Sequence, residues 1–298
     1  MLRIKVPATT ANIGPGFDCL GLALDIHLII DVYKKTNKTS FIYSDGIEEI
    51  PLENNLIYTT IIDILLQHNK NINFKIIIKK NDIPISRGLG SSASAIVAGV
   101  YAANYLLNNI FSEDELLYIA CEIEGHPDNV VPAIKGGFQI SKKINNKYIT
   151  SKINCSNLLN FIILSPNFTV KTEQARAILP KKYDNKDVFT NLANLALLVN
   201  SFNNNDYKNI KNSLIDTLHQ PYRINLINNG AEILKHSSKL GSYGEFISGS
   251  GPTLISIIKD NDTFIDNMKL FLKKYNDKWS CYKAHIDNIG VEIEVRNE

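Results

Sequence analysis

Arginine is scarce in this chain of 298 residues, which relies on lysine for most of its positive charge. Only five arginines occur, and they are Arg3, Arg87, Arg176, Arg223 and Arg296. An arginine that persists against such a background indicates a need for the planar, five-donor guanidinium group. The first and the last are expected to be ordinary surface or sheet-edge residues. The other three fall in segments that carry further signs of a binding site.

The features of nucleic-acid-binding and membrane proteins are also missing. With 32 basic and 30 acidic residues the net charge is only +2, and no basic stripe occurs. No apolar run approaches the roughly 20 residues of a membrane span, and the first six residues predict a strand rather than a signal peptide. The four cysteines show no paired spacing, which predicts reduced thiols in a cytoplasm. We therefore expect a cytoplasmic protein with neither nucleic acid nor membrane as a partner.

Apolar periodicity predicts alternating strands and helices, and hence an α+β fold with mixed sheets. Phe74, Ile76 and Ile78 alternate as in a half-buried strand, and Ser112 with Glu115 predicts a capping box at a helix start. The length allows one large or two ordinary domains. Turns rich in Asn and Lys near residue 155 predict a boundary between domains at 1–155 and 156–298. Helical spacing further on predicts helices over 188–202, 206–217 and 225–239.

A glycine-rich segment lies between the Phe74 strand and a helix predicted over 92–107. Its eleven residues are Pro84, Ile85, Ser86, Arg87, Gly88, Leu89, Gly90, Ser91, Ser92, Ala93 and Ser94. The glycines allow close backbone approach, and the free N–H groups at a helix start favour an anion. The serine hydroxyls can reach phosphate oxygens or a magnesium ion. The spacing fits neither a Walker A loop nor a Rossmann fingerprint. The alternative is a serine-capped helix after a tight loop. It is outweighed because all eleven positions match a known phosphate-binding pattern between a predicted strand and a predicted helix.

This segment resembles the phosphate-binding motif of the galactokinase, homoserine kinase, mevalonate kinase and phosphomevalonate kinase (GHMP) superfamily. Three further segments resemble the homoserine kinase family in particular, and they lie at 6–21, 124–129 and 244–253. The resemblance covers residues from about 3 to 296. It implies a two-domain GHMP kinase fold, with an N-terminal ribosomal-protein-S5-like domain for ATP and a C-terminal ferredoxin-like domain that completes the substrate site. It also implies ATP and Mg²⁺ as cofactors, L-homoserine as substrate and a homodimer.

By the same resemblance, Ser92 and Glu124 are the protein ligands of magnesium. For Glu124 alone, the simpler alternative is a solvated glutamate at a helix end. Asp128 is expected in the catalytic site with Ser92 and Glu124, and two roles stay open for it: binding the substrate or abstracting the hydroxyl proton. His126 and Asn129 are expected to support the substrate site, with turn capping as the alternative.

The resemblance assigns the amino acid substrate to Asn12 and Asp18, which flank the turn at 14–16, and to two arginines. Arg176 and Arg223 resemble the pair that clamps the α-carboxylate, for which a bidentate guanidinium is suited. The alternatives are turn residues for the first pair and interdomain salt bridges for the arginines. The resemblance also assigns Gly249 to the substrate site, in a second glycine-rich turn at 248–252 that is expected to pack near the phosphate loop. Taken alone, this turn would indicate only a hairpin or a bulge.

The predicted function is ATP-dependent phosphorylation of the side-chain hydroxyl of L-homoserine to O-phospho-L-homoserine, in threonine biosynthesis. One alternative is a GHMP kinase for another small alcohol, such as mevalonate or a sugar. The paired arginines favour an amino acid. The other alternative is a non-catalytic nucleotide-binding regulator on the same fold, against which the presence of Ser92, Glu124 and Asp128 argues.

Overall fold

The computed structural model describes residues 1–34, 36–43, 52, 55–259 and 263–296. Within these ranges the strands are β1 (Leu2–Ala11), β2 (Leu20–Lys34), β3 (Ser40–Tyr43), β4 (Phe74–Asn81), β5 (Phe138–Ile144), β6 (Lys147–Ile153), β7 (Asn160–Pro166), β8 (Gly244–Ile247), β9 (Leu254–Ile258), β10 (Trp279–Ala284) and β11 (Glu292–Val295). The helices are α1 (Leu56–Gln67), α2 (Ser91–Leu106), α3 (Glu113–Glu124), α4 (Pro127–Lys135), α5 (Thr172–Ala177), α6 (Asn185–Asn203), α7 (Tyr207–Ser213), α8 (Gln220–Arg223), α9 (Gly230–Lys239) and α10 (Phe264–Leu272). None of these helices is long and apolar enough to cross a membrane.

The first sheet has the strand order β11-β1-β2-β4-β3, and β5 and β6 extend it beside β2. Its neighbours pair antiparallel except β3 and β4, which are parallel, so the sheet is mixed. Helices α2 and α4 pack on β1 and β2. The last strand, β11, returns to this sheet and places Val295 opposite Leu2. The domain boundary near residue 155 stays a prediction.

The second sheet is antiparallel, in the order β10-β7-β9-β8. Because successive side chains of a strand point to opposite faces, β7 contributes to two apolar cores. Phe161 and Ile163 belong to the large core shared with the first sheet, whereas Ile162 and Leu164 pack in a smaller one beneath α9 and α10. The two sheets together confirm the predicted α+β fold with mixed sheets.

Local sequence explains several element ends. The predicted capping box is present, since Ser112 Oγ accepts from the Glu115 N–H and the Glu115 carboxylate accepts from the Ser112 N–H. Two predicted helices were wrong in extent. The helix predicted over 206–217 ends at Ser213, and the one predicted over 225–239 begins only at Gly230. The second difference arises because Asn229 adopts a left-handed conformation, with φ +60°, that interrupts the helix.

Candidate active site

One cleft between the two sheets collects the residues that the sequence predicted outside the phosphate loop. These are Asn12, Asp18, Glu124, His126, Asp128, Asn129, Arg176, Arg223 and Gly249. From the loop itself, Ser86, Gly88, Gly90, Ser91 and Ser92 also line the cleft. Pro84, Ile85, Arg87, Leu89, Ala93 and Ser94 are not among its lining residues. Residues that lie more than 200 positions apart in sequence therefore meet at one site.

The phosphate loop takes a backbone conformation that requires its glycines. Gly88 has φ +80° and Gly90 has φ +66°, both left-handed. A Cβ atom on Gly88 would lie 2.3 Å from the Ser248 carbonyl oxygen, so the second glycine-rich turn packs directly against the loop. Helix α2 begins immediately after Gly90, and its first two residues, Ser91 and Ser92, line the cleft. The start of a helix suits an anion, and phosphate binding by this loop stays a prediction.

Two residues of the loop support it rather than face the cleft. The sequence predicted that Ser94 could offer a hydroxyl to phosphate or magnesium, but its side chain is buried and donates to the Pro7 and Gly90 carbonyls. Arg87 donates from Nε to the Pro166 carbonyl at 2.9 Å and from Nη2 to the Asn167 carbonyl at 3.2 Å. Its guanidinium therefore fastens the loop to the end of β7.

Ser92 and Glu124 meet in the cleft as a hydroxyl–carboxylate pair. Ser92 Oγ donates to Glu124 Oε2 at 2.7 Å. Burial raises the pKa of Glu124, and the hydrogen bond from Ser92 opposes that rise. A hydroxyl and a partly desolvated carboxylate at this distance can act together on one cation.

Asp128 lies in the first turn of α4, where the helix dipole favours a negative charge. Its side chain is buried, and Oδ1 is 2.9 Å from Nδ1 of His126. The carboxylate raises the pKa of His126, while burial opposes the rise. Asn129 Oδ1 accepts from Thr9 Oγ1 at 2.8 Å, which anchors this turn to β1. The arrangement presents one buried carboxylate to the cleft.

The turn after β1 carries the next pair. Asn12 donates from Nδ2 to the Gly249 carbonyl at 2.7 Å and accepts from the Asp18 backbone N–H at 3.0 Å. Arg176 of α5 donates to both carboxylate oxygens of Asp18, at 2.9 and 3.1 Å. This contact raises the pKa of Arg176, with burial opposing it. Asp18 and Arg176, which were both predicted to bind the substrate, thus form a bidentate ion pair with each other across the cleft.

Arg223 is the second predicted arginine, and it is only 2% exposed. Its Nε donates to the Ala175 carbonyl and its Nη1 to the Gly249 carbonyl, both at 3.1 Å. Among the described residues no carboxylate lies within ion-pair distance of it. Burial and the nearby Arg176 lower the pKa of Arg223 to about 10, and the more distant carboxylates of Asp18, Asp128 and Asp216 oppose the fall. A buried cation without an ion-pair contact therefore faces the cleft.

Sequence reasoning missed two aromatic residues of the site. The Phe17 ring lies 4.9 Å from the guanidinium carbon of Arg223 and 5.8 Å from that of Arg176. The buried His219 stacks on Phe17 with ring centroids 5.1 Å apart. Phe17 directly precedes Asp18, and His219 stands one helical turn before Arg223. Their places beside predicted substrate residues are the sequence signal by which Phe17 and His219 could have been found.

Comparison with known proteins shows the family to which the chain belongs. The models for the GHMP kinases N terminal domain and the GHMP kinases C terminal domain match residues 55–137 and 190–273, which defines the class of protein. The chain is 44% identical to the homoserine kinase of Clostridium novyi over 98% of its length and 99% of that protein. It is 42% identical to the homoserine kinase of Clostridium acetobutylicum over 98% and 100%. The chain belongs to the homoserine kinase family of the GHMP kinases.

Solved structures give the same result. The crystal structure of homoserine kinase from Cytophaga hutchinsonii superposes with a TM-score of 0.84 at 29% identity, covering 98% of this chain and 97% of that one. The structure of a putative homoserine kinase from Listeria monocytogenes gives 0.79 at 27% identity, covering 99% and 100%. The predicted two-domain GHMP kinase fold is therefore confirmed.

Proposed function

We propose that this protein is an ATP-dependent kinase that phosphorylates the side-chain hydroxyl of L-homoserine, yielding O-phospho-L-homoserine for threonine biosynthesis. The observation that carries the proposal is the buried guanidinium of Arg223, which lines the cleft and has no ion-pair partner among the described residues. An unpaired buried charge costs several kcal/mol, roughly, so the site favours a ligand that brings a carboxylate. An α-amino acid supplies that group.

The Asp18–Arg176 pair supports a zwitterionic substrate. An ammonium and a carboxylate on one carbon are complementary to a carboxylate and a guanidinium that already face each other. Asp18 takes the ammonium, and Arg176 and Arg223 take the carboxylate. The substrate hydroxyl then points towards Asp128 and the phosphate loop. We propose substrate binding as the main role of Asp128 and abstraction of the hydroxyl proton as its second role. Positioning and charge neutralisation supply most of the rate in phosphoryl transfer.

ATP binding is supported by the loop and by a neighbouring cavity. An apolar pocket of about 330 Å³ adjoins the cleft and shares Ser86, Ser91 and Ser92 with it. Its other walls include Ile57, Ile78 and Ile83, which suit a flat base. The phosphates would extend from this pocket over the start of α2.

We propose Mg²⁺ as the accompanying cation, held by Ser92 and Glu124. No cluster of three or more metal-ligating side chains occurs in the described part of the chain. Magnesium commonly takes only one or two protein oxygens and completes its octahedron with phosphate oxygens and water. Bound there, it would neutralise charge on the transferred phosphoryl group.

A coupled ADP-release assay tests the function. We expect turnover with L-homoserine and much lower kcat/KM with L-serine, L-threonine, mevalonate and galactose. Arg176→Lys and Arg223→Lys keep the charge but lose the bidentate geometry. KM for homoserine should rise about ten- to a hundredfold while KM for ATP stays constant. Preferred turnover of mevalonate or galactose would support the other-alcohol alternative, and nucleotide binding without turnover would support a regulator.

We also propose a cytoplasmic homodimer. All four cysteines are free thiols, which suits a reducing compartment. Helix α6 exposes Phe189, Leu192 and Leu197, by 66%, 58% and 53%, and apolar side chains on one helix favour association between copies. Sedimentation equilibrium should give twice the chain mass, and fractionation of cells should recover the protein with the cytosol. A monomer at micromolar concentration would contradict the dimer.

A further inference from the structure

His219 is a buried imidazole that the proposed chemistry does not use. Its side chain has no exposed surface and stands at the start of α8, four residues before Arg223. Nε2 lies 2.8 Å from the Gly14 carbonyl oxygen, and Nδ1 lies 3.4 Å from Nη1 of Arg223. The ring therefore bridges the turn after β1 and the guanidinium of the proposed carboxylate site.

The two partners determine which nitrogen carries the proton. A carbonyl oxygen only accepts, so Nε2 must bear hydrogen to bond Gly14. A guanidinium only donates, so Nδ1 must present its lone pair to Arg223. Both contacts are satisfied together only by the neutral Nε2–H tautomer. Burial and the Arg223 charge also lower the pKa of His219, although Asp216 opposes this.

The charged groups around the ring leave this assignment intact. Asp216 Oδ2 is 3.6 Å from Nε2, but this carboxylate already accepts from three backbone N–H groups, those of Leu218, His219 and Gln220. Its charge is thereby engaged in closing the turn before α8. One face of the imidazole stacks on the Phe17 ring.

The turn that His219 holds is strained. Asn12, Ile13 and Gly14 have φ of +71°, +43° and +64°, three left-handed residues in succession. A β-branched residue such as Ile13 rarely adopts this region, because its Cβ substituents crowd the backbone there. Strain of this kind persists only where surrounding contacts fix it. The same turn presents Phe17 and Asp18 to the cleft.

We propose that His219 is a positioning residue of the substrate site. As a neutral imidazole it fixes the Gly14 carbonyl through Nε2–H and receives Arg223 at Nδ1, so it sets the guanidinium and the Asp18 turn in one geometry. This inference rests on the proposed binding of an amino acid by Asp18 and Arg223. It assigns to His219 the pre-organisation of the carboxylate site, without contact to the substrate.

Two substitutions test the proposal. His219→Phe keeps an aromatic ring against Phe17 but loses both hydrogen bonds. It should raise KM for L-homoserine about ten- to a hundredfold, with kcat and KM for ATP nearly unchanged. His219→Gln restores a donor and an acceptor and should recover most of that loss. With 3-aminopropan-1-ol, which keeps the ammonium but lacks the carboxylate, the loss caused by His219→Phe should be much smaller than with L-homoserine.

His27→Phe is the matched control. His27 contacts Asp287 at 2.8 Å, is largely buried and does not line the cleft. It should lower the melting temperature and leave both KM values unchanged. The proposal is overturned if His219→Phe binds homoserine normally, or raises both KM values equally. Failure of the proposed function would show differently, as absence of homoserine turnover in the parent protein.

Spectroscopy provides a second measurement, in which the His219 signal is identified among those of the six histidines by its loss in His219→Phe. Long-range ¹H–¹⁵N correlation on histidine-labelled parent protein at pH 7 should show His219 as the neutral Nε2–H tautomer. Addition of L-homoserine should shift its Nδ1 resonance, because the substrate carboxylate then binds the guanidinium that donates to Nδ1. An imidazolium, or the Nδ1–H tautomer, would contradict the proposal.

Discussion

At the scale of single residues, the arginine of the first sheet and the two arginines of the cleft differ in the groups that compensate their charge. Arg3 makes a bidentate pair with Asp31, at 2.7 and 2.8 Å, and both groups are thereby satisfied within the first sheet. In the cleft, Arg176 has the half-exposed Asp18 as its partner, and Arg223 has carbonyl oxygens and a histidine. A buried bidentate pair such as Arg3 with Asp31 stabilises the fold. A half-exposed pair in a cleft, such as Arg176 with Asp18, can exchange its partner for a ligand. This difference favours binding over a structural salt bridge for both cleft arginines.

The carboxylate of Glu124 should lower stability while it supports activity. Its pKa in the folded protein is raised by burial, so the folded state binds more protons than the unfolded state above the ordinary value of 4.5. The contribution of Glu124 to the free energy of unfolding therefore falls as the pH rises from 4.5 through the raised pKa of the folded state. Glu124→Gln should raise the melting temperature at pH 7–8, and the gain should vanish below about pH 4.5. The same variant should lose about a hundredfold in kcat, because the cation loses its charged ligand.

Glu122→Gln is the control for this prediction. Glu122 lies on the same helix, pairs with Lys143 at the surface, and has a pKa lowered by that contact. Its replacement should not raise the melting temperature at any pH and should leave kcat unchanged. Thermal melts between pH 4 and 8 and steady-state assays at several magnesium concentrations give both readouts. Unchanged kcat in Glu124→Gln at limiting magnesium would remove Glu124 from the metal site.

At the scale of elements, apolar periodicity and capping motifs predicted the strands and helix ends that depend on residues close together in sequence. Strand β4 and the start of α3 follow directly from alternation and from the capping box. Helix α4 was not predicted, because Pro132 within its nine residues argues against a helix. It forms because Pro127 suits the first helical position and because Val130 and Val131 are buried against the sheet.

In the candidate site, too, local motifs identified individual residues, whereas contacts between residues distant in sequence could not be predicted. The motifs led to Ser92, Glu124 and Arg223, since each chemistry-bearing residue stands in a recognisable segment. The contact between His219 and Gly14 joins positions 205 residues apart, and no local pattern encodes it. The hydroxyl of Ser94 was misread for a related reason. Its acceptor on β1, the Pro7 carbonyl, becomes a neighbour only when α2 packs on that strand.

The phosphate loop should tolerate no side chain at Gly88. Gly88→Ala places a Cβ 2.3 Å from a backbone carbonyl at a left-handed φ, so the loop must move away from the second glycine-rich turn. KM for ATP should rise at least tenfold, roughly, because the α2 N–H groups lose their register with the phosphates. Gly241→Ala is the control, with φ +92° and nothing within 4 Å. It should cost only about 1 kcal/mol of stability and leave the kinetics unchanged. Equal ATP affinity in both variants would contradict the assignment of this loop.

At the scale of the whole molecule, the cleft exists because two sheets share a core and are joined at their ends by hydrogen bonds. The Gly249 carbonyl accepts from Asn12 of the first sheet's turn and from Arg223 of α8. Ser248 Oγ lies 2.8 Å from Thr10 Oγ1, and the Gly249 N–H donates to the Ala11 carbonyl. The nucleotide and substrate sites are therefore parts of one hydrogen-bonded junction. Loss of a contact that joins the phosphate loop to the second sheet should therefore affect both substrates together.

Arg87 tests that expectation, since it fastens the phosphate loop to Pro166 and Asn167 on the second sheet. Arg87→Lys retains the charge but can hold only one of these carbonyls well, so the loop loses its fixed distance from the substrate side. KM for ATP and for homoserine should both rise, by roughly three- to tenfold each. Arg3→Lys is the control, because it breaks the bidentate contact with Asp31 away from the cleft. It should lower the melting temperature and leave both KM values unchanged. A rise in KM for ATP alone in Arg87→Lys would mean that the residue serves the nucleotide directly and that the two halves of the cleft are held together by other contacts.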